Sequence, residues 1–296
     1  MEQFARSDLA AECGTQSDGD GIRVQRCEVK GREILRVQVK TREAALRIGK
    51  PQGRYVTVDC GDIRRLDPLD FERARCLLAV ELRDMAQRMC KKRVGRGFSV
   101  LVVGLGNADV TADAIGPQTV KRLCVTRHLH QNDALLYSTF GLCEIAAIAP
   151  GVLGQTGLEA AEVVQGAVSS ISPDLVVAVD ALAARSPERL ASTVQLSDTG
   201  IQPGSGVGCA RRALTEKTVG VPVLALGVPT VVESATLVAD ALQKTGHDTL
   251  APQLRKTLAA GRNFFVTPKE IDVLVSAAGV LLAQALEKAF SLSEEV

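Results

Sequence analysis

An aspartate leads into four glycines in the run Asp198-Thr-Gly-Ile-Gln-Pro-Gly-Ser-Gly-Val-Gly208, at Gly200, Gly204, Gly206 and Gly208. Glycine at this density supplies positive φ and lets backbone N–H groups approach a ligand closely. A carboxylate ahead of such a loop reads as part of a site, and the same run also reads as a plain turn between two elements. Two further aspartates occupy comparable places. Asp113 follows the loop Leu105–Ala112 after the apolar run Phe98–Gly104, and Asp180 closes the apolar run that starts at Asp174. In open α/β sheets, ligands bind beyond the carboxyl ends of the strands, where these three aspartates are expected. Two carboxylates held close cannot both ionise easily. One keeps its proton, and the pair acts as base and acid around one water, which is the logic of an aspartic peptidase. The competing reading is structural: Asp113 and Asp180 both precede helix-like segments, where aspartate is a favoured cap.

Other chemistries find fewer residues. Gly104-Leu-Gly106 resembles the start of a dinucleotide fingerprint, but Asp109 stands where the third glycine belongs. There is no G-x-S-x-G elbow and no H-E-x-x-H motif. Of three histidines, His128 and His130 lie in a basic stretch and His247 in a polar connector, so a Ser-His or Cys-His engine has few candidate bases. Arg211-Arg212 after the glycine loop has the charge to grip an acidic substrate, and equally suits a solvated helix start. The eight cysteines are scattered with no C-x-x-C pair, so zinc-site spacing is absent. The first 20 residues are acidic and polar and lack the apolar core of a secretory signal, which predicts reduced thiols in a cytosolic protein.

Positioning these residues takes a framework of alternating strands and helices. Strand-like alternation runs over 22–36 and 54–60, and helical spacing over Pro68–Lys92. Apolar runs at Phe98–Gly104, Glu144–Pro150, Asp174–Val179 and Pro222–Gly227 suit buried parallel strands, and Ser192–Ser197 alternates. Helices are expected over about Asp113–Arg127, Leu158–Ser170, Val231–Thr245 and Pro268–Phe290, the last capped by Thr267, with a polar connector at 246–262. The expected fold class is therefore α/β: a three-layer sandwich around a mostly parallel central sheet. With 296 residues the chain is long enough for a sizeable core, and its net charge of +1 gives no electrostatic reason to expect nucleic-acid binding. The uncharged apolar stretch Val273–Leu286 is too short to span a bilayer.

Taken together, the motifs resemble the germination protease family of endospore-forming bacteria. The matching segments are Arg6–Ala10, Leu105–Pro117, Ala149–Gly157, Val179–Ser186, Ser197–Gly208, Gly227–Glu233 and Asn263–Glu270, in the family's order and over most of the chain. The resemblance implies a fold similar to the hydrogenase maturation endopeptidases and an endopeptidase that degrades small acid-soluble spore proteins during germination. It further implies a zymogen in the forespore or spore core, usually a homotetramer, that removes its own propeptide. By the same resemblance the catalytic pair is Asp113 and Asp180, with no cofactor, metal, direct nucleic-acid partner or membrane involved. Asn107, Asp198, Gly204, Gly206 and Gly208 would support the site or bind substrate. Self-cleavage would fall at Asp8–Leu9, dividing a propeptide at 1–8 from a single α/β peptidase domain at 9–296.

Three departures accompany the match. Ala112 stands where the family usually has proline, Cys209 where it usually has asparagine, and Glu233 where it usually has aspartate. The connector at 246–262 is also shorter than is typical. Two rival readings remain: a metal-assisted endopeptidase of the hydrogenase-maturation type, and a non-enzymatic nucleotide-binding module using the glycine loops as anion nests.

Overall fold

The computed structural model describes residues 7–13, 19–205, 208, 211–246, 251–260 and 264–293. Runs of Val, Ile, Leu and Ala bounded by glycine, proline and polar turns become strands, because β-branched and apolar side chains fit a pleated, buried surface. Nine strands form among the described residues: β1 (Ile22–Val29), β2 (Arg32–Val39), β3 (Gly53–Asp59), β4 (Ser99–Gly104), β5 (Glu144–Ile148), β6 (Leu175–Ala184), β7 (Thr193–Ser197), β8 (Val223–Glu233) and β9 (Phe265–Val266). The helices are α1 (Arg42–Ile48), α2 (Pro68–Cys90), α3 (Ile115–Val120), α4 (Arg127–Asn132), α5 (Ala134–Phe140), α6 (Leu153–Thr156), α7 (Ala160–Ile171), α8 (Glu216–Val219), α9 (Ser234–Lys244), α10 (Pro252–Ala260) and α11 (Ile271–Ala289).

All nine strands join one sheet in the order β1-β2-β3-β7-β8-β6-β4-β5, with β9 beside the end of β8. This corrects the expected mostly parallel sheet. The pairs β1/β2, β2/β3, β3/β7, β7/β8 and β8/β9 are antiparallel, and β8/β6, β6/β4 and β4/β5 are parallel. For β1 and β2, connection length decides the direction. A parallel neighbour needs a crossover of a dozen or more residues. Only Lys30 and Gly31 separate β1 from β2, so that pair must turn back as a hairpin.

Three helix boundaries also differ from expectation. The stretch after Asp113 gives short α3 and a separate α4 rather than one helix. The last helix starts at Ile271, with Glu270 rather than Thr267 at its cap position. β8 continues through Pro229 to Glu233, so α9 begins only at Ser234. Proline is tolerated inside this central strand because it sits beside a bulge: the register against β6 shifts between Leu182 and Ala183.

The two faces of the sheet are covered differently. One face packs α2 and α11 against Ile34, Val58, Leu196, Leu226, Val177, Val102 and Ile145, side chains drawn from seven strands. α2 earns its length locally: Asp67 accepts from the Asp70 N–H, Pro68 pre-sets the first turn, and Leu78, Leu82 and Met85 form its buried stripe. Opposite, α7 and α8 cover only the β4–β6–β8 end, through Val164, Val168 and Val219. α1 and the turn at Ala10 cover the β2–β3 end, through Ala44, Val37 and Tyr55. Between those covers lies a gap.

Candidate active site

The gap is a cavity of about 1150 Å³, and Asp113 and Asp180 both line it. Its floor is built from residues of one pleat phase. Asp180 on β6 pairs with Gly227 on β8, and Gly227 pairs in turn with Gln195 on β7. Laterally paired residues point to the same face, so Asp180 and Gln195 flank a position with no side chain. Gly227 must stay bare: a Cβ there would lie 2.5 Å from Cγ of Leu182.

Asp113 arrives from the loop after β4. The Leu105 N–H donates to the Val179 carbonyl (2.8 Å), adding one rung between β4 and β6. Gly106 then turns with φ +107°, and a Cβ on it would stand 1.9 Å from the Asp113 carbonyl oxygen, so glycine alone fits. The Asn107 N–H donates to Asp113 Oδ2 (2.7 Å), and Asn107 Oδ1 accepts from Asp109 N–H and Gln155 Nε2 (both 2.9 Å). From the other side, Thr230 Oγ1, at the β8 bulge, donates to the Ala112 carbonyl (2.7 Å). Asp113 therefore does not cap a helix. The cap position of α3 is Ala114, and the Asp113 carboxylate is held by the Asn107 amide instead.

Asp180 is not a cap either. β6 runs four residues past it to Ala184, which corrects the expectation that the strand ends there. Its side chain is 6% exposed, and Oδ1 accepts from the Ala181 N–H (2.9 Å). Burial holds its carboxyl well above the ordinary carboxylate range, and the negative charges of Asp113 and then Asp8 push the same way. Burial also raises Asp113, and the Asn107 N–H opposes that rise. The repulsion falls on the deeper group: Asp113 ionises first, and Asp180 would have to ionise against that charge. Of the two, Asp180 is therefore the group that keeps its proton to the higher pH.

The glycine loop forms another wall. Gly204 and Gly208 line the cavity together with Ser197, Thr199 and Ser205. Gly206 lies outside the described residues, as do Arg6, Cys209 and His247. Asp198 stands apart from Asp113 and Asp180. It accepts from the Arg54 N–H on β3 (2.7 Å) and lines a second hollow with Arg23, Arg36 and Arg88. Burial raises its carboxyl, and the Arg54 N–H restrains it.

Ser7 and Asp8 of the N-terminal segment line the cavity. Asp8 N–H donates to the Ala183 carbonyl (2.8 Å), Ala183 N–H donates to Asp8 Oδ2 (2.9 Å), and Ser205 Oγ donates to Asp8 Oδ1 (3.0 Å). Leu9 is fully buried against Leu182, Ala184 and Val232. Glu12 accepts from the Arg185 N–H (2.6 Å) and the Ser186 N–H (2.9 Å). Sequence reasoning picked out the stretch Arg6–Glu12 with Asp8 and Leu9 in it, but missed Gln195, whose role depends on strand register and not on any motif.

Among the described residues, no group of three or more His, Cys, Asp or Glu is arranged to hold a metal ion. No helix among them is long and apolar enough to cross a membrane.

Comparison with known proteins agrees in one direction. Residues 2–247 match the family model described as germination protease. The germination protease of Clostridium acetobutylicum is 37% identical, over 98% of this chain and 97% of that protein. That of Caldanaerobacter subterraneus is 35% identical over 96% of this chain and 93% of its own length. That of Priestia megaterium is 40% identical over 82% of this chain and 67% of its own length.

Proposed function

The chain belongs to the germination protease family, and from that premise we propose that it is an aspartic-type endopeptidase acting on small acid-soluble spore proteins, with Asp113 and Asp180 as its dyad. The observation that carries this reading is the pairing of two unequal carboxyls in one cavity, the deeper one pushed further above the ordinary carboxylate range by burial and by its neighbour's charge. Asp113, as carboxylate, takes a proton from a water that attacks the peptide carbonyl carbon. Asp180, as acid, gives its proton to the leaving amine nitrogen as the C–N bond breaks. The proton gained by Asp113 then returns to Asp180, restoring the starting state.

The same reading makes residues 1–8 a propeptide and 9–296 the mature peptidase. The chain's own Asp8, hydrogen-bonded to Ala183 at the cavity wall, supports that cut. Cutting there turns Asp8 into a new C-terminus and adds a further negative charge beside Asp180, which favours departure of the short fragment. A spore-core location and a homotetramer follow from the family resemblance. The parallel quartet β5-β4-β6-β8, with the dyad on β6 and just after β4, is the part that supports a likeness to hydrogenase maturation endopeptidases.

The test is incubation of the protein with a small acid-soluble spore protein, with and without a chelator, followed by gel and mass analysis. Cleavage that survives exhaustive chelation is the expected result. Cleavage lost on chelation and restored by a divalent ion would replace the dyad with a metal-assisted reaction.

A further inference from the structure

Gln195 has no part in the dyad, yet it touches the bond assigned to be cut. It is 8% exposed, at the centre of β7, with its amide aimed into the cavity. Its Nε2 lies 3.0 Å from the carbonyl oxygen of Asp8, and its Oε1 lies 2.7 Å from the N of Ala10. The orientation of the amide is forced, because a backbone N–H can only donate and a carbonyl oxygen can only accept. Gln195 therefore straddles the Asp8–Leu9 bond, holding the carbonyl on one side and the second N–H beyond it on the other.

We propose that Gln195 is a catalytic residue: its side-chain N–H is the donor that stabilises negative charge on the carbonyl oxygen as water adds to the carbonyl carbon. This rests on the Asp8–Leu9 cut argued above. Three features support it. A donor about 2.7–3.1 Å from the oxygen that becomes the oxyanion is the geometry that such stabilisation requires. Gln195 and Asp180 approach from opposite sides of bare Gly227, two strand spacings apart, roughly 10 Å between backbones, which leaves room for an extended peptide between them. Finally, an amide keeps its donor at every working pH, so it adds no charge to a cavity that already holds Asp8, Asp113 and Asp180. The division of labour is then complete. Asp113 takes the water's proton, Gln195 holds the developing oxyanion, and Asp180 protonates the departing nitrogen of Leu9.

The same amide also sets the register of the peptide. With the Ala10 N–H held by Oε1 and Glu12 held by the Arg185 and Ser186 N–H groups, the chain has few ways to slide by one residue. Gln195 thus serves position and chemistry together, and the test must separate the two.

The full-length chain is incubated at mildly acid pH and loss of residues 1–8 is followed by intact mass, for wild type, Gln195→Met and Gln195→Glu. Thermal melts check the fold of each. Gln195→Met keeps the length but loses the donor, and its cut is expected to slow by ~10²–10³-fold. Gln195→Glu keeps the acceptor for Ala10 N–H and loses the donor only while ionised. Its rate relative to wild type is expected to recover as pH falls and the carboxyl takes up a proton that it can donate. A merely structural role gives no such recovery. Gln195→Met cutting within about threefold of wild type overturns the donor role. So does a Gln195→Glu ratio that stays constant with pH, which also decides the matter if the methionine variant does not fold. A wild-type chain that never loses residues 1–8 overturns the cut itself, and the donor role with it.

Discussion

The two faces of the sheet are made from the same strands and treated in opposite ways. On one face, alternate residues from β2 to β5 meet α2 and α11 in a single apolar layer. On the other, the apolar layer breaks into separate patches, and the break exposes Asp180, Gly227 and Gln195 to the cavity. Each strand that passes through the centre contributes to both. On β6, Val177 and Val179 pack into the closed face while Asp180 and Leu182 turn to the open one. The lesson is one of isolation. A continuous core on one side holds the strand register, and that register lets two carboxyl groups and an amide be placed on the other without a helix to cover them.

The sharpest way to break this contrast is to change the open face alone. Asp113→Asn is expected to lower cleavage of a spore protein by at least ~10³-fold, while its melting temperature stays within a few degrees of wild type. A collapse of the fold would mean that Asp113 is structural. The mirror experiment is on the closed face. Leu281→Ala removes a fully buried side chain of α11 and should cost about 2–5 kcal/mol by chemical denaturation, with cleavage near wild type below the melting transition. Activity lost in folded protein would show that the faces are not independent.

Gly227→Ala probes the floor itself. The new methyl group would press on Leu182, which packs against Leu9, so a cost of about 1–3 kcal/mol and slower loss of residues 1–8 are expected together. Unchanged stability in a thermal melt would contradict the tight floor. The smallest effect is electrostatic. Asp180 has a carboxyl raised above its unfolded value, so its protonated form favours the fold at low pH and that contribution is lost as pH rises through the raised value. Asp180→Asn should therefore be more stable than wild type at pH 8, by on the order of 1 kcal/mol, with the difference closing as pH falls toward the ordinary carboxylate range. Equal stability at every pH would mean that burial does not shift Asp180.

How much of this was legible in the sequence follows from what each signal depends on. β4, β6 and the first half of β8 are apolar runs buried on both faces, and such runs read as strands without knowledge of their partners. Asp113 and Asp180 were legible as acids at the edges of such runs. Their burial and their unequal titration depend on the gap between covers, which no local pattern encodes. The antiparallel half was misread because β7 is inserted between β3 and β8, strands distant in sequence. Pro229 hid the second half of β8, since proline argues against a central strand unless a bulge accommodates it. Gln195 was invisible for a simpler reason: a neutral amide in an alternating strand looks like any outward-facing polar residue. Asp198 carried the strongest local motif, yet it binds Arg54 outside the dyad cavity.

The claim at the centre is that Asp113 and Asp180 together cut a peptide bond in the gap on the open face. It is tested most directly by intact mass of the full-length chain over time at mildly acid pH, wild type beside Asp180→Asn. The account predicts that wild type loses residues 1–8 by a single cut at Asp8–Leu9 while the folded variant keeps them. Loss of the same residues at the wild-type rate from Asp180→Asn would contradict it.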